Sequence, residues 1–278
     1  MTTNHLLREL APITATGWKL LDEEARDRLT TTLGARKLID FSGPFGWDYS
    51  ATNLGRTERL AGSDDDPIIS RRRRVLPLAE MQVPFSVSRD ELLDGERGAA
   101  DVDLSNLDMA ALQMASAENQ AVFHGWRQAQ ITGITQATSL PTVPRVEHFS
   151  DYPKRVAQAV DQLLEEGISG PFGLALGPGH YTAVVQSTER GGYLLSEHLR
   201  KILDGPIVWA PGVKGAVVMS LRGGDFLFES GQDLSIGYSH HDAHDVHLYL
   251  EQSFSFRVAT PEAAVHLTSS SEPSQRSR

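Results

Sequence analysis

The sequence predicts an α+β fold, because helical and strand periods occupy separate stretches of its 278 residues. Apolar residues recur every three or four positions over 16–33 and 105–131, which lines them along one face of a helix. From Val246 to Val258 they alternate one by one, the period of a strand buried on one side. Between the two helical stretches lies a long segment with neither period, broken by Gly43, Gly46, Gly55, Gly62 and Pro67.

In the first helix Trp18, Leu21, Ala25, Leu29 and Leu33 form the apolar stripe, and Gly34 ends it. Arg36 to Phe41 then predicts a short strand. The unperiodic segment predicts extended strands folded back at Gly62 to Pro67. A ribbon of that length cannot bury itself in a compact body, so it must lie against something else, another subunit included.

Ser105 and Asp108 stand at capping-box spacing, with Asp in place of the usual Glu, ahead of a second helix of about seven turns. Leu107, Ala111, Met114, Ala121 and Gly125 share one face of it, a set small enough for close packing. A stretch containing Pro141, Pro144 and Pro153 marks a boundary. The next helix is opened by Pro153, capped by Ser150 or Asp151 and closed by Gly167. Residues 172–177 form a buried strand, 178–188 and 194–203 short helices, and 206–211 and 215–221 strands, which together make an α+β unit over 141–222. In the final strand only Gln252 interrupts the apolar series, and 268–278 has the composition of a disordered tail.

The 26 basic and 36 acidic residues leave a net charge of −10, which opposes condensation of the chain onto phosphate, so no nucleic-acid partner is expected. The absence of cysteine excludes disulfides, thiolate catalysis and cysteine-ligated zinc. The N-terminus lacks the pattern of a secretion signal, and no apolar run is long enough to span a bilayer; a soluble cytoplasmic protein without a membrane partner is the expectation.

His240, His241, His244 and His247, with Asp242 and Asp245, form a ligand-type cluster. The cluster joins two strands, so a polar hairpin loop is preferred over a metal site. Ser42 to Gly46 and Leu176 to Tyr181 are rich in glycine but lack phosphate-loop spacing, and the chain has neither a G-x-S-x-G elbow nor an H-E-x-x-H helix. Glu165 and Glu166 sit at a helix end as solvated surface. No catalytic residue, metal or cofactor is expected, and the chain is not read as an enzyme. Arg71 to Arg74 would split two to each face of a strand, with Asp64 to Asp66 across the turn, which favours ion pairing within the ribbon or between subunits over nucleic-acid binding.

Six stretches, RELAPIT (8–14), GARKLIDFSGPFGWDYSATNLG (34–55), PFSVSRDELLDGERG (84–98), RGGDF (222–226), GQDLSIGY (231–238) and VHLYLEQSFSF (246–256), resemble the encapsulin shell proteins in order and spacing. The resemblance implies the Hong Kong 97-type phage major capsid fold. On that plan 1–46 holds the N-terminal helix and the start of a peripheral domain, and 47–83 is an extended E-loop. The peripheral domain continues through 84–140 with its spine helix, 141–222 is the axial domain, 223–267 returns peripheral strands, and 268–278 is the tail. The arginine run would then lie in an arm laid across a neighbour.

The resemblance also implies function: a shell protein whose copies, about sixty or a multiple, assemble into an icosahedral nanocompartment. The cargo would be an enzyme such as a dye-decolourising peroxidase or a ferritin-like protein, targeted by a C-terminal peptide. The cargo groove of relatives carries over to Leu29, Leu33, Arg36, Leu38 and Asp40, with Ile236 and Tyr238; for the leucines a plain core role is the competing reading. The five-fold pore loop carries over to Glu189, Arg190, Gly191, Gly192 and Tyr193. Where some relatives bind flavin on an aromatic residue, this chain has Asp90, so no flavin is expected there. A prophage capsid packaging DNA, or a peptidase or bacteriocin-like enzyme, are the alternatives.

Overall fold

The computed structural model describes residues 5–60, 68–143, 151–188 and 192–267. Among these residues the strands form a five-stranded sheet, a four-stranded sheet and a two-stranded ribbon. The large sheet has β1 (Asp40–Ser42), β8 (Phe226–Ser230), β10 (Asp245–Val258) and β4 (Ala79–Ser88) in that order, with β9 (Ser235–His241) also on β10. β1 runs parallel to β8, and the other pairs are antiparallel. The second sheet is β11 (Ala264–Leu267), β7 (Ala216–Ser220), β5 (Phe172–Leu176) and β6 (Ile207–Trp209).

Helix α1 (Ala15–Thr32) starts where the Thr14 hydroxyl accepts the Gly17 N–H at 3.2 Å, and it buries Leu21, Ala25 and Leu29. Helix α3 (Ser105–His124) packs on it, and Ala110, Ala111 and Ala115 let the two axes approach. Arg28 of α1 pairs with Asp108 of α3 at 2.8 Å. Asp108 is therefore a cross-helix partner and not half of a capping box; the Ser105 N–H is taken by Asp103 Oδ1. The helix also ends seven residues sooner than the period suggests, because Gly125 turns to φ 83 and Trp126 then bridges to Ile131.

The strand expected from Arg36 begins only at Asp40, since Ala35–Lys37 is a 3-10 turn. The final strand is one-sided only in its first half: from Leu250 to Phe256 every residue is buried. There the polar side is covered too, with His5 on Glu251 at 2.7 Å, the Gln232 N–H on Ser253 at 2.9 Å, and Thr52 against Ser255 at 2.6 Å.

Helix α2 (Arg89–Glu96) follows β4, α4 (Ile134–Ala137) follows α3, and α5 (Tyr152–Glu165), α6 (Pro178–Gln186) and α7 (Leu195–Leu203) surround the second sheet. Apolar side chains gather into two cores. One joins α1, the first half of α3, and the start of β10. The other joins the second sheet, α5 and α7 to Phe226, Phe228, Phe254 and the end of α3. Between them α3 buries two polar side chains, Glu118 and Asn119. Asn119 is fully engaged, accepting from the Ala35 N–H and donating to the Thr32 and Pro211 carbonyls.

The ribbon pairs β2 (Ala51–Arg59) with β3 (Arg71–Pro77), Ala51 opposite Pro77 and Arg59 opposite Arg71. Among the described residues its base is anchored by Tyr49 and Thr52 donating to Glu229 at 2.7 Å each. Arg72 pairs with Glu58 at 2.9 Å, while the expected partners Asp64 to Asp66 lie outside the described residues.

Candidate functional site

A cleft of about 410 Å³ runs between α1 and the start of β9. Its floor is apolar because α1 turns Leu29 and Leu33 toward Ile236 and the fully buried Leu250. Exposed Arg26 and Thr30, one helical position further round, form the rim. Along α1 the cleft extends from Asp22 to Leu33, roughly 17 Å at 1.5 Å per residue. Each end is closed by an ion pair: Arg8 with Asp22 at 2.7 Å, and Arg36 with Asp233 at 2.8 Å. Arg8 also lies 4.0 Å over the Trp18 ring, which holds its guanidinium flat across the helix.

Arg36 anchors the site. Its Nε and Nη2 donate to both oxygens of the buried Glu118, at 2.9 and 2.8 Å, and Nη2 also donates to Gln252 Oε1 at 2.9 Å. Burial works against the charge, but Glu118 and Asp233 outweigh it and hold the guanidinium above its ordinary value. Gln252, the one polar interruption in the apolar face of β10, is there to receive this arginine, and its amide donates toward the sulfur of Met114.

Of the seven expected groove residues, the fold brings Leu29, Leu33, Arg36 and Ile236 together around this cleft. Leu38 and Asp40 instead line a second, smaller cleft of about 160 Å³ with Ser220, Leu221 and Phe226. Asp40 there accepts the Gly224 N–H at 2.7 Å. Tyr238 sits under the N-terminal arm, its N–H on the Leu6 carbonyl at 2.8 Å and its hydroxyl against His241 at 2.7 Å. Asp22, Arg26 and Asp233 complete the cleft without having been singled out from the sequence; their charged types match ordinary surface, and only the helical offset from Leu29 could have pointed to Asp22 and Arg26.

Glu189, Arg190 and Gly191 of the expected pore loop lie outside the described residues. Gly192 adopts φ 80, and Tyr193 is exposed beneath Lys201, whose Nζ is 5.1 Å from the ring centre. The histidine-rich segment is a hairpin turn. Asp242 accepts the backbone N–H groups of His244 and Asp245, which hold its carboxyl well below the usual carboxylate range, and His240 stacks on His247 at 4.2 Å. Among the described residues no group of three or more metal-ligating side chains converges.

A family described as "Encapsulating protein for peroxidase" matches residues 3–255. The chain is 45% identical to a type 1 encapsulin shell protein of Rhodospirillum rubrum over 272 residues, 95% of this chain and 96% of that one. It is 36% identical to a type 1 encapsulin shell protein of Mycobacterium tuberculosis over 265 residues, 95% and 99% of the two chains. Among solved structures its fold is similar to a virus-like particle from Pyrococcus furiosus, with TM-score 0.61, 18% identity and coverage of 90% and 98%. It is also similar to Gordonia phage Cozz, with TM-score 0.54, 14% identity and 87% of both chains. These likenesses are to Hong Kong 97-type capsid proteins, the architecture expected from the sequence.

Proposed function

The chain belongs to the encapsulin shell proteins, and from that premise we propose that its copies close into a hollow icosahedral particle around a cargo enzyme. About sixty subunits, or a simple multiple, satisfy that symmetry. The subunit is a wall component and carries out no chemistry of its own. A peroxidase is the favoured guest on the family's description, with a ferritin-like enzyme as the alternative outcome.

The observation that carries the cargo reading is the cleft between α1 and β9. An extended peptide can seat a few aliphatic side chains on Leu29, Leu33 and Ile236, while the ion pairs at either end fix its length and direction. Arg26 offers a rim cation for a carboxylate of the guest. Fixed walls matter here, because a groove already shaped loses little freedom when the peptide binds. The pore reading for Glu189 to Tyr193 stays with this proposal, with Glu189 and Arg190 setting which small ions cross. The net charge of −10 favours an enclosed protein over enclosed DNA.

Electron microscopy and light scattering of the purified chain test the shell, and mass spectrometry of what co-purifies identifies the guest. Thr30→Trp fills the cleft from an exposed position. The expected result is intact particles with about tenfold less enclosed protein, the loss of about 1.4 kcal/mol of docking energy. Full loading of Thr30→Trp particles refutes the cleft, and a stable, dispersed subunit refutes the shell.

A further inference from the structure

Residues 5–10 lie as a strap across one end of the cleft and have little structure of their own. Arg8–Leu10 is a 3-10 turn of three residues that buries no side chain. Leu7 before it takes φ 50, a left-handed backbone that a leucine holds only where its surroundings impose it, and its side chain is exposed. What fixes the strap is contact with the body of the subunit.

His5 makes the first of these contacts. Its ring stacks on Trp47, 3.9 Å between centroids and 11° between planes, and its Nε2 lies 2.7 Å from Glu251 Oε1. The Glu251 side chain is only 8% exposed, so lifting the strap would strand a carboxylate inside β10. Next along the chain, the Leu6 carbonyl accepts the Tyr238 N–H of β9 at 2.8 Å. Arg8 then reaches Asp22 of α1 at 2.7 Å. The strap therefore runs from the loop before the ribbon, over β10 and β9, to the first helix.

The cleft takes its end wall from these contacts, since Arg8 lines it. Leu6 occupies the outer edge of β9 at Tyr238. Alternate residues of a strand present their backbone groups to the same side, so Ile236 turns its N–H and carbonyl toward that same edge, inside the cleft. The edge is divided: the strap holds Tyr238, and Ile236 is left for an extended occupant, which can add to the strand only as far as the strap allows. With the strap lifted, the occupant could slide on to Tyr238 and the wall at Asp22 would be lost.

We propose that residues 5–10 are a positioning strap for the guest: His5, clasped between Glu251 and Trp47, keeps Leu6 and Arg8 where they stop a guest peptide from sliding along β9. His5 is a positioning residue, acting through Leu6 and Arg8 and not by touching the guest. The inference rests on the cleft reading above and adds what closes one end of the cleft and what keeps it closed.

Three variants of the full chain separate the strap from stability. His5→Leu gives up the stack and the hydrogen bond together, and His5→Gln keeps an amide that can reach Glu251. His5→Leu with Glu251→Gln removes the stranded charge but leaves the strap unclasped. In particles shown intact by electron microscopy, hydrogen exchange of the 234–241 segment reads the Tyr238 amide, and the mass ratio of co-purified protein to shell reads the guest. Both variants carrying His5→Leu should exchange that amide about tenfold faster, because it is protected only while the strap is seated. Both should hold about fivefold less guest, because the cleft is no longer shaped in advance. The double variant should nevertheless melt near wild type, and His5→Gln should load to within about twofold of it.

If loading recovers in the double variant along with the melting temperature, His5 serves stability alone and the proposal is overturned. Unchanged exchange at Tyr238 in His5→Leu, full loading despite faster exchange, or a His5→Gln variant that loads no better than His5→Leu overturns it as well. In each of these cases the cleft reading stands. Full loading of Thr30→Trp, which fills the cleft without moving the strap, or wild-type particles that enclose nothing, overturns the cleft reading and this inference with it.

Discussion

Replacing Arg36 by methionine should destabilise the subunit far more than the loss of a surface ion pair would. The side chain is 15% exposed and its main partner, Glu118, is 0% exposed, so the substitution strands a carboxylate with no cation and no water. Breaking a buried pair from one side costs about 3–5 kcal/mol. Asp233, 39% exposed, regains water and adds little. For a chain of this size each kcal/mol moves the midpoint by roughly 2 °C, so Arg36→Met should melt about 6–10 °C lower. Arg36→Met with Glu118→Met removes both charges at similar volume and should recover most of that loss, because the penalty resides in the orphaned acid. Calorimetry of wild type, both single variants and the double, at one protein concentration since assembly raises the midpoint by mass action, completes the cycle. A shift below about 2 °C for Arg36→Met, or a double variant no more stable than the worse single one, would refute the reasoning.

Two further perturbations address the interior. His124 receives the Lys214 N–H on Nε2 at 2.8 Å, and its Nδ1 faces a Thr135 hydroxyl already committed to the Phe123 carbonyl, so the ring is held neutral. Burial, then His266 and Lys214, pull its pKa down to about 4. The unfolded chain binds this proton near 6.5, so the contribution is complete above that pH and is lost as pH falls toward 4, about 3 kcal/mol in all. Urea titrations at pH 7 and pH 4.5 should show this slope in wild type and a flatter one in His124→Gln. Gly212 adopts φ 88 with its Cβ position 2.3 Å from the Ser116 carbonyl of α3, whereas Gly98, at φ 99, has open space around it. Gly212→Ala should cost more than about 2 kcal/mol in denaturant unfolding and Gly98→Ala only about 1, the conformational term alone.

Periodicity made α1 and the first half of β10 legible in the sequence, because each buries one face against a large partner, while β5, buried along its whole length, shows as an unbroken apolar run. It overran α3, since Gly125 reads as one more small residue on the helix face until its dihedral is known. It also misjudged Asp108, which at three residues from Ser105 looks like a cap but answers to Arg28 from another helix. Four of the cleft residues could be named from family likeness. Glu118 could not, because a glutamate between Ala117 and Asn119 looks like solvated surface, and the partners that bury it stand at positions 36 and 252. The one local hint was Gln252 in an otherwise apolar series, a break that shows where a polar contact must be found but not with what.

Glu118, Asn119 and Gln252 separate two greasy compartments that a purely aliphatic seam would have let slip past each other. Hydrogen bonds hold direction as well as distance, so these amides and this acid act as a set square, locking the tilt of one half of the tile against the other. In a closed polyhedron built from such tiles the radius follows from that tilt, and three side chains hidden from solvent would then govern how sharply the wall curves.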